Sequence, residues 1–332
     1  MKHVCFLLPE GVVMPGTMLS SIEIFEAAND FLTQNGKSPY YNISVIGANV
    51  KQPLHNSQFM IQPNTLNYKK ADPDLIIIPG LHWQNNFSIK ENKDVIQWMI
   101  SKHAEGCELA SLCTGSFFLA ATGLLNGIEC STHWRGEDLF LSMYPDVKLC
   151  TDKIITDNNG IYTSGGAQSS LNLILYLVEK YNGREVALYC SKVLQIDIER
   201  SSQSPFMLFT GQKDHNDEAI KKVQQFIEKN IYEKVTVEIL AEKFAMSKRS
   251  FIRRFKNATN NVPVEYIQKV KVEAAKRGLE GKGNNINEVM YSVGYSDIKS
   301  FRTIFKKVTG LTPLEYKMKF SYGTSKTIKQ IQ

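Results

Sequence analysis

Cysteine is scarce and scattered, at positions 5, 107, 113, 130, 150 and 190, with no C-x-x-C pair and none after 190. That spacing argues against a zinc site and against a secreted disulfide framework, so no metal or cofactor is expected and a reducing cytoplasm fits. Long apolar runs are lacking as well. None approaches the roughly 18 residues needed to span a bilayer, so no membrane segment is expected. The opening MKHVCFLLPEGVV is apolar only briefly. Pro9 and Glu10 interrupt it too early for a signal peptide, and a buried first strand is the better reading. With 43% hydrophobic and 22% charged residues, the chain has neither a disordered nor a collagenous composition. At about 100–200 residues per domain, 332 residues suggest two domains, each able to bury a core.

Acidic charge is what the C-terminal part has little of. Residues 213–332 hold 24 Lys/Arg against 13 Asp/Glu, whereas residues 1–212 hold 15 against 20. The net charge of +6 therefore conceals an acidic body of −5 and a basic end of +11. Such a split points the second half at a polyanion, against the plainer reading of a solvated basic surface. The polar stretch SSQSPFMLFTGQKDHND at 201–217, punctuated by Pro205 and Gly211, reads as a linker. The expected organisation is an α/β domain over 1–200, the linker, a second domain over 218–320 and a flexible tail over 321–332.

Residues 1–200 alternate short apolar runs with amphipathic segments. The runs 3–8, 41–47, 74–79 and 108–112 read as buried strands, and DLIIIPG is the clearest of them. Between them, 19–29 and 93–103 carry helical spacing. Strand–helix alternation implies a doubly wound parallel sheet, with ligands at the carboxyl ends of its strands. One strand end stands out, where ELASLCTGSFFLAATGLLNG passes from strand to helix with Cys113 at the turn and Gly115 two residues on. A side chain at such a turn projects over the sheet beside helix N–H groups, which lower a thiol pKa and hold an anion. This favours an exposed, pocket-lining Cys113 over a buried core cysteine. His133, in Ser131-Thr132-His133-Trp134, is a candidate partner for a thiolate, although a lone histidine is more often structural. Gly165 and Gly166, ahead of a helix expected over 167–180, either open its N–H groups to an anion or form a tight turn.

The second half is a duplication with a period of 50. Phe251, Phe255, Lys256, Thr259, Pro263, Glu265 and Tyr266 recur as Phe301, Phe305, Lys306, Thr309, Pro313, Glu315 and Tyr316. Each unit reads as two short helices around a tight turn, 237–244 then 248–258, and 288–293 then 297–308. Ile239, Leu240 and Phe244 are expected inward on the first of these, and Ser247 as the N-cap of the second. With Phe251 and Phe255 buried, the opposite face shows Lys248, Arg249, Ser250, Arg253 and Arg254. In the second copy that face shows Ile298, Lys299, Ser300, Arg302 and Thr303. A short helix pair with a cationic second helix is a helix-turn-helix. A connecting helix over 264–280 holds the two units apart, so that both recognition helices enter successive major grooves about 34 Å apart on one face of double-stranded DNA. A merely basic protein-interaction domain is the weaker alternative.

Two resemblances sharpen this reading. LPEGVV, DLIIIPG, SLCTG-x5-ATGLLNG, STHW, YTSGG and the tail SSQSPF resemble the ThiJ/PfpI, glutamine-amidotransferase-like fold over roughly 3–206, and more narrowly its version in GlxA-type transcription regulators. In enzymes of that superfamily a Cys, a His and an acidic residue react together. The resemblance assigns two of those places to Cys113 and His133, and the acidic place falls on Thr17. After the glycine pair this chain reads Ser169-Ser170-Leu171-Asn172, where such regulators usually show a small residue and Asp. Residues 218–318, and INEVMYSVGYSDIKSFRTIFKKVTGLTPLEY above all, resemble the AraC/XylS DNA-binding domain.

The expectation is a cytoplasmic transcription regulator that is not an enzyme. Its α/β domain senses a small molecule near Pro79, Gly80, Cys113, Thr114, Gly115, His133, Gly165 and Gly166. Resemblance implies an amino acid or amine as effector, pairing as a homodimer, and contact with RNA polymerase if the output is activation. The rivals are a cysteine hydrolase or amidotransferase-like enzyme using Cys113 and His133, and a Cys113 redox sensor, each tethered to DNA.

Overall fold

A computed structural model describes residues 1–47, 52–54, 59–64, 67–83, 89–166, 168–198, 202–233 and 235–321. The expected tail beyond 321 lies outside these residues. Contacts divide the chain into two compact units, Met1–Gln203 and Ser204–Gln332.

The first unit is built on the parallel strands β1 (Lys2–Leu8), β2 (Tyr41–Gly47), β5 (Leu75–Ile78), β6 (Glu108–Ser111) and β10 (Ile161–Ser164). Between β2 and β5 lies a short hairpin, β3 (Gln52–Leu54) and β4 (Phe59–Ile61). Another small pair, β7 (Glu129–Cys130) with β8 (Lys148–Leu149), precedes the antiparallel edge strand β9 (Ile155–Asn158). The main sheet runs β2-β1-β5-β6-β10-β9. This is the doubly wound order, in which the strand sequence reverses beside β1 and leaves a crevice at the carboxyl ends. Leu75, Ile76, Ile77 and Ile78 are fully buried, as a strand covered on both faces requires.

Helices α1 (Pro15–Gln34), α2 (Lys93–Ala104), α3 (Gly115–Ala120), α4 (Glu137–Met143), α5 (Ser169–Asn182) and α6 (Arg184–Val193) complete the unit. The first helix runs longer than its 19–29 periodicity at both ends, and it starts at Pro15, whose missing N–H is one that a helix leaves unpaired there. The helix expected from 167 begins at Ser169.

The second unit is all helical: α7 (Glu218–Lys229), α8 (Val237–Lys243), α9 (Lys248–Thr259), α10 (Pro263–Glu280), α11 (Ile286–Ser292), α12 (Ile298–Thr309) and α13 (Pro313–Phe320). The duplication extends to its hydrogen bonds. Ser247 and Asp297 cap α9 and α12 by accepting from Ser250 N and Ser300 N. Thr259 and Thr309 each donate to the carbonyl of the second phenylalanine at 2.8 Å. Asn260 and Gly310 then end both helices in the left-handed region, at φ 54 and 74.

Phe251 and Phe255 pack with Tyr266, Ile267 and Val270 in one core, and Phe301 and Phe305 with Val272, Ala275, Leu279 and Tyr316 in another. The single helix α10, 18 residues and about 27 Å long, supplies both cores and fixes the spacing between the units. Ile239 corrects one expectation: it is 45% exposed, and Val237, Leu240 and Ala241 form the buried face of α8.

The expected linker is engaged along much of its length. Gln203 is buried within the first unit. In the second, Met207 O accepts from Lys276, Phe209 meets the Tyr266 ring and Asp217 caps α7.

Candidate functional site

The carboxyl ends of β5, β6 and β10 lie side by side in the sheet, and they bury what they bring together. A methyl on Gly115 would sit 2.6 Å from the Pro79 carbonyl oxygen, so only glycine lets α3 start this close to the β5 end. Gly80 lies against the Cys113 side chain and Thr17. Thr114 Oγ1 donates to Leu81 O and accepts from Leu81 N, tying the two strand ends. Ser164 Oγ accepts from Cys113 N at 3.2 Å.

Cys113 adopts a left-handed φ of 54, the strained turn its sequence position implied. Its side chain, however, is fully buried, which corrects the expectation of exposure. Burial pushes the thiol up from 9.0 to about 11, against the lowering pull of hydrogen bonds from Thr114. Desolvation outweighs the N-terminus of α3, which is only six residues long.

His133 is half-buried. Its Nδ1 accepts from Arg135 N at 3.2 Å, and its ring packs edge-on against Trp83 at 5.9 Å. Burial and the nearby Arg135 hold its pKa down. Among the described residues no hydrogen bond joins it to Cys113. At the expected acidic place, the Thr17 hydroxyl donates to Met14 O and accepts from Gly80 N. A neutral thiol, an unlinked histidine and a threonine do not make an activated nucleophile. Nor, among the described residues, does any group of His, Cys, Asp and Glu side chains suit a metal ion.

Gly165 and Gly166 sit beneath a side chain the sequence reading placed in the linker. Gln203 is 1% exposed. Its Nε2 lies 2.8, 2.9 and 3.1 Å from the carbonyl oxygens of Thr151, Thr132 and Lys153, which share its two hydrogens, and its Oε1 accepts from Gly166 N at 2.6 Å. A methyl on Gly165 would fall 2.2 Å from its Cδ, and one on Gly166 3.2 Å from His133 Cδ2. The glycines make room for the amide on one side and for His133 on the other. Only the SSQSPF resemblance marked Gln203 in the sequence, since its partners lie 37 to 71 residues away.

In the second unit, α9 presents exposed Lys248, Arg249 and Arg253, with Ser250 half-buried, opposite Phe251 and Phe255. Lys256 and Asn257 extend that face, and with Ile252 they line a shallow hollow. On α12 the corresponding face carries exposed Lys299, Ser300, Arg302 and Thr303 opposite Phe301 and Phe305. Two cations of the first face are engaged within the protein. Lys248 pairs with Glu238. Arg254 makes a two-pronged contact with Asp217, at 2.9 Å through Nε and 2.8 Å through Nη2. Asp217 is held below the usual carboxylate range by that guanidinium.

The fold and these two faces define a class, a doubly wound α/β domain joined to a double helix-turn-helix. Residues 8–180 match the DJ-1/PfpI family and residues 240–319 a helix-turn-helix domain. The chain belongs to the DJ-1/PfpI family and carries an AraC-type DNA-binding domain; it is a DNA-binding transcription regulator. It is 25% identical to the HTH-type transcriptional regulator GbdR of Pseudomonas aeruginosa over 303 residues, 90% of this chain and 79% of the relative. The HTH-type transcriptional regulator ArgR of the same species is 26% identical over 211 residues, 63% and 64% of the two chains. The fold of a putative transcriptional regulator from Vibrio parahaemolyticus matches 58% of this chain and 98% of its own, with a TM-score of 0.52 and 24% identity.

Proposed function

We propose that the α/β unit binds a small effector in the cytoplasm, at the solvent side of the β5, β6 and β10 ends, and that this binding sets how the helical unit reads an operator. The carrying observation is the pair of faces on α9 and α12, alike in position and set by one rigid α10. Arg249, Ser250 and Arg253 contact bases or phosphates in one major groove, and Lys299, Ser300, Arg302 and Thr303 in the next. Arg254 acts as a tether between α7 and α9, given its hold on Asp217.

The effector contacts His133 and Gly166, the half-buried members of the set, over a floor of Pro79, Gly80, Cys113, Thr114, Gly115 and Gly165. By resemblance to regulators of this architecture, the effector is an amino acid or amine and the chain acts as a homodimer that engages RNA polymerase when it activates. Among the described residues, no helix is long and apolar enough to cross a membrane.

The test is retention of sheared genomic DNA against non-specific competitor at about 0.15 M salt, where only specific contacts survive. Enrichment of one or a few sites by the wild-type chain, lost in Arg253→Ala and in Arg302→Ala, is the expected result. Uniform retention of all fragments would refute specific reading.

A further inference from the structure

Resting on that reading of the α/β unit as an effector sensor, we infer that the Gln203 seat is a subsite for a primary ammonium group, occupied here by the chain's own carboxamide, and that such a ligand displaces Gln203.

The seat is over-supplied with acceptors for its occupant. An amide nitrogen has two hydrogens. Around Gln203 Nε2 stand three carbonyl oxygens within 3.1 Å, and Ser131 Oγ at 3.4 Å. Ser131 Oγ already donates to Lys153 O at 2.5 Å, so it too offers a lone pair to the seat. Three carbonyls converging on one point match the three hydrogens of an ammonium better than the two of an amide. The seat itself holds no carboxylate; the Glu137 carboxylate reaches only the Thr151 hydroxyl, at 3.1 Å, on the residue that supplies one of the three carbonyls. Cations take such a cage more readily than neutral donors do.

The seat also adjoins the solvent-facing part of the site. Gly166 touches both occupants of this corner, with its Cβ position 3.3 Å from Gln203 Oε1 and 3.2 Å from His133 Cδ2. Gly165 and Gly166 have no positive φ to explain glycine there. What they supply is space for a group that is not their own. A ligand lying along His133 and Gly166 reaches the cage by pushing the carboxamide out, while its remaining part takes over the Gly166 N–H.

The consequence is regulatory because of where Gln203 stands. It is the last residue of the first unit, and Ser204 is the first of the second. Its backbone N also donates to Asp152 O at 2.9 Å. Removing the side chain from its seat takes away the carboxamide's bonds at the boundary of the two units, while the backbone bond of Gln203 and the Ser202 hydroxyl bond to Asp152 O stay.

The test uses the full chain and three probes: methylammonium, acetamide and tetramethylammonium, the last having no N–H. In Gln203→Ala the cage is empty, so methylammonium should raise the melting temperature of the α/β unit more than in the wild type, and tetramethylammonium should not. In the wild type, methylammonium should speed amide exchange at Gln203 and Gly166 and change retention on the enriched DNA about fivefold or more. Gln203→Met, which keeps volume without hydrogen bonds, guards against collapse of the empty cage. Loss of cooperative melting in both variants would make Gln203 a structural staple and overturn the proposal. Equal response of wild type and variant, or rescue by acetamide or tetramethylammonium but not methylammonium, would overturn it as well. Specific DNA retention without rescue sinks the seat alone, and rescue without specific retention sinks the regulator reading alone.

Discussion

The sharpest expectation concerns Cys113, because family resemblance and turn geometry point one way and burial the other. Native chain is treated with iodoacetamide at pH 8, and uptake at each cysteine is followed by mass spectrometry. A thiol at its ordinary 9.0 is about one-tenth thiolate at that pH, and one at about 11 only about one-thousandth. The thiolate is the reacting species, so burial alone slows Cys113 by about 100-fold, before steric exclusion by its full enclosure is counted. Cys150, the one half-buried cysteine, serves as the internal standard and should be modified first. In denaturant the two rates should become comparable. Modification of Cys113 faster than Cys150 in the folded chain would refute the argument and restore an activated nucleophile or redox sensor. Cys113→Ser, which keeps the volume nearly constant, should leave DNA retention intact.

Other expectations follow from the same contacts. Burial also raises the thiols of Cys5 and Cys190 to about 11 and those of Cys107 and Cys130 to about 12. A raised folded-state value means stability that is whole below about pH 9 and lost as pH climbs through 11–12. The α/β unit should therefore lose stability over that window in circular-dichroism melts; a flat profile would contradict the burial of its thiols. Phe301→Ala should cost the second unit about 3–5 kcal/mol, and unchanged melting would put the buried face of α12 elsewhere. Arg253→Ala should weaken specific DNA binding by about 1–3 kcal/mol at fixed salt. Arg254→Ala should lower the melting temperature of the helical unit and leave binding nearly unchanged, and the reverse pattern would return Arg254 to the DNA face. Gly165→Ala places a methyl where the Gln203 amide lies, so it should expose the junction to protease unless that side chain moves freely.

Part of both halves was legible in the sequence, while β10, α4, α6, α7 and α13 gave no reading of their own. Strand β2 and the start of α9 fall where the periodicity put them, because alternation and helical spacing are local properties of the chain. Ile239 misled for a related reason. Adjacent apolar residues on a short helix leave its buried side undecided until the partner helix is in place, and here Leu240 and Ala241 won.

What the sequence by itself determined is therefore the pair of architectures, the charge split and the 50-residue duplication with its buried phenylalanines. Each of these is carried by residue types at short or fixed spacing. Only the tertiary structure decided that Cys113 is enclosed and neutral, that Arg254 belongs to Asp217, and that a presumed linker glutamine fills the cage beside His133. Those outcomes depend on groups brought together from 37 to 71 residues apart, and on how much water their meeting leaves around a thiol, a guanidinium or an amide. No local pattern records that quantity, because desolvation belongs to the packed whole.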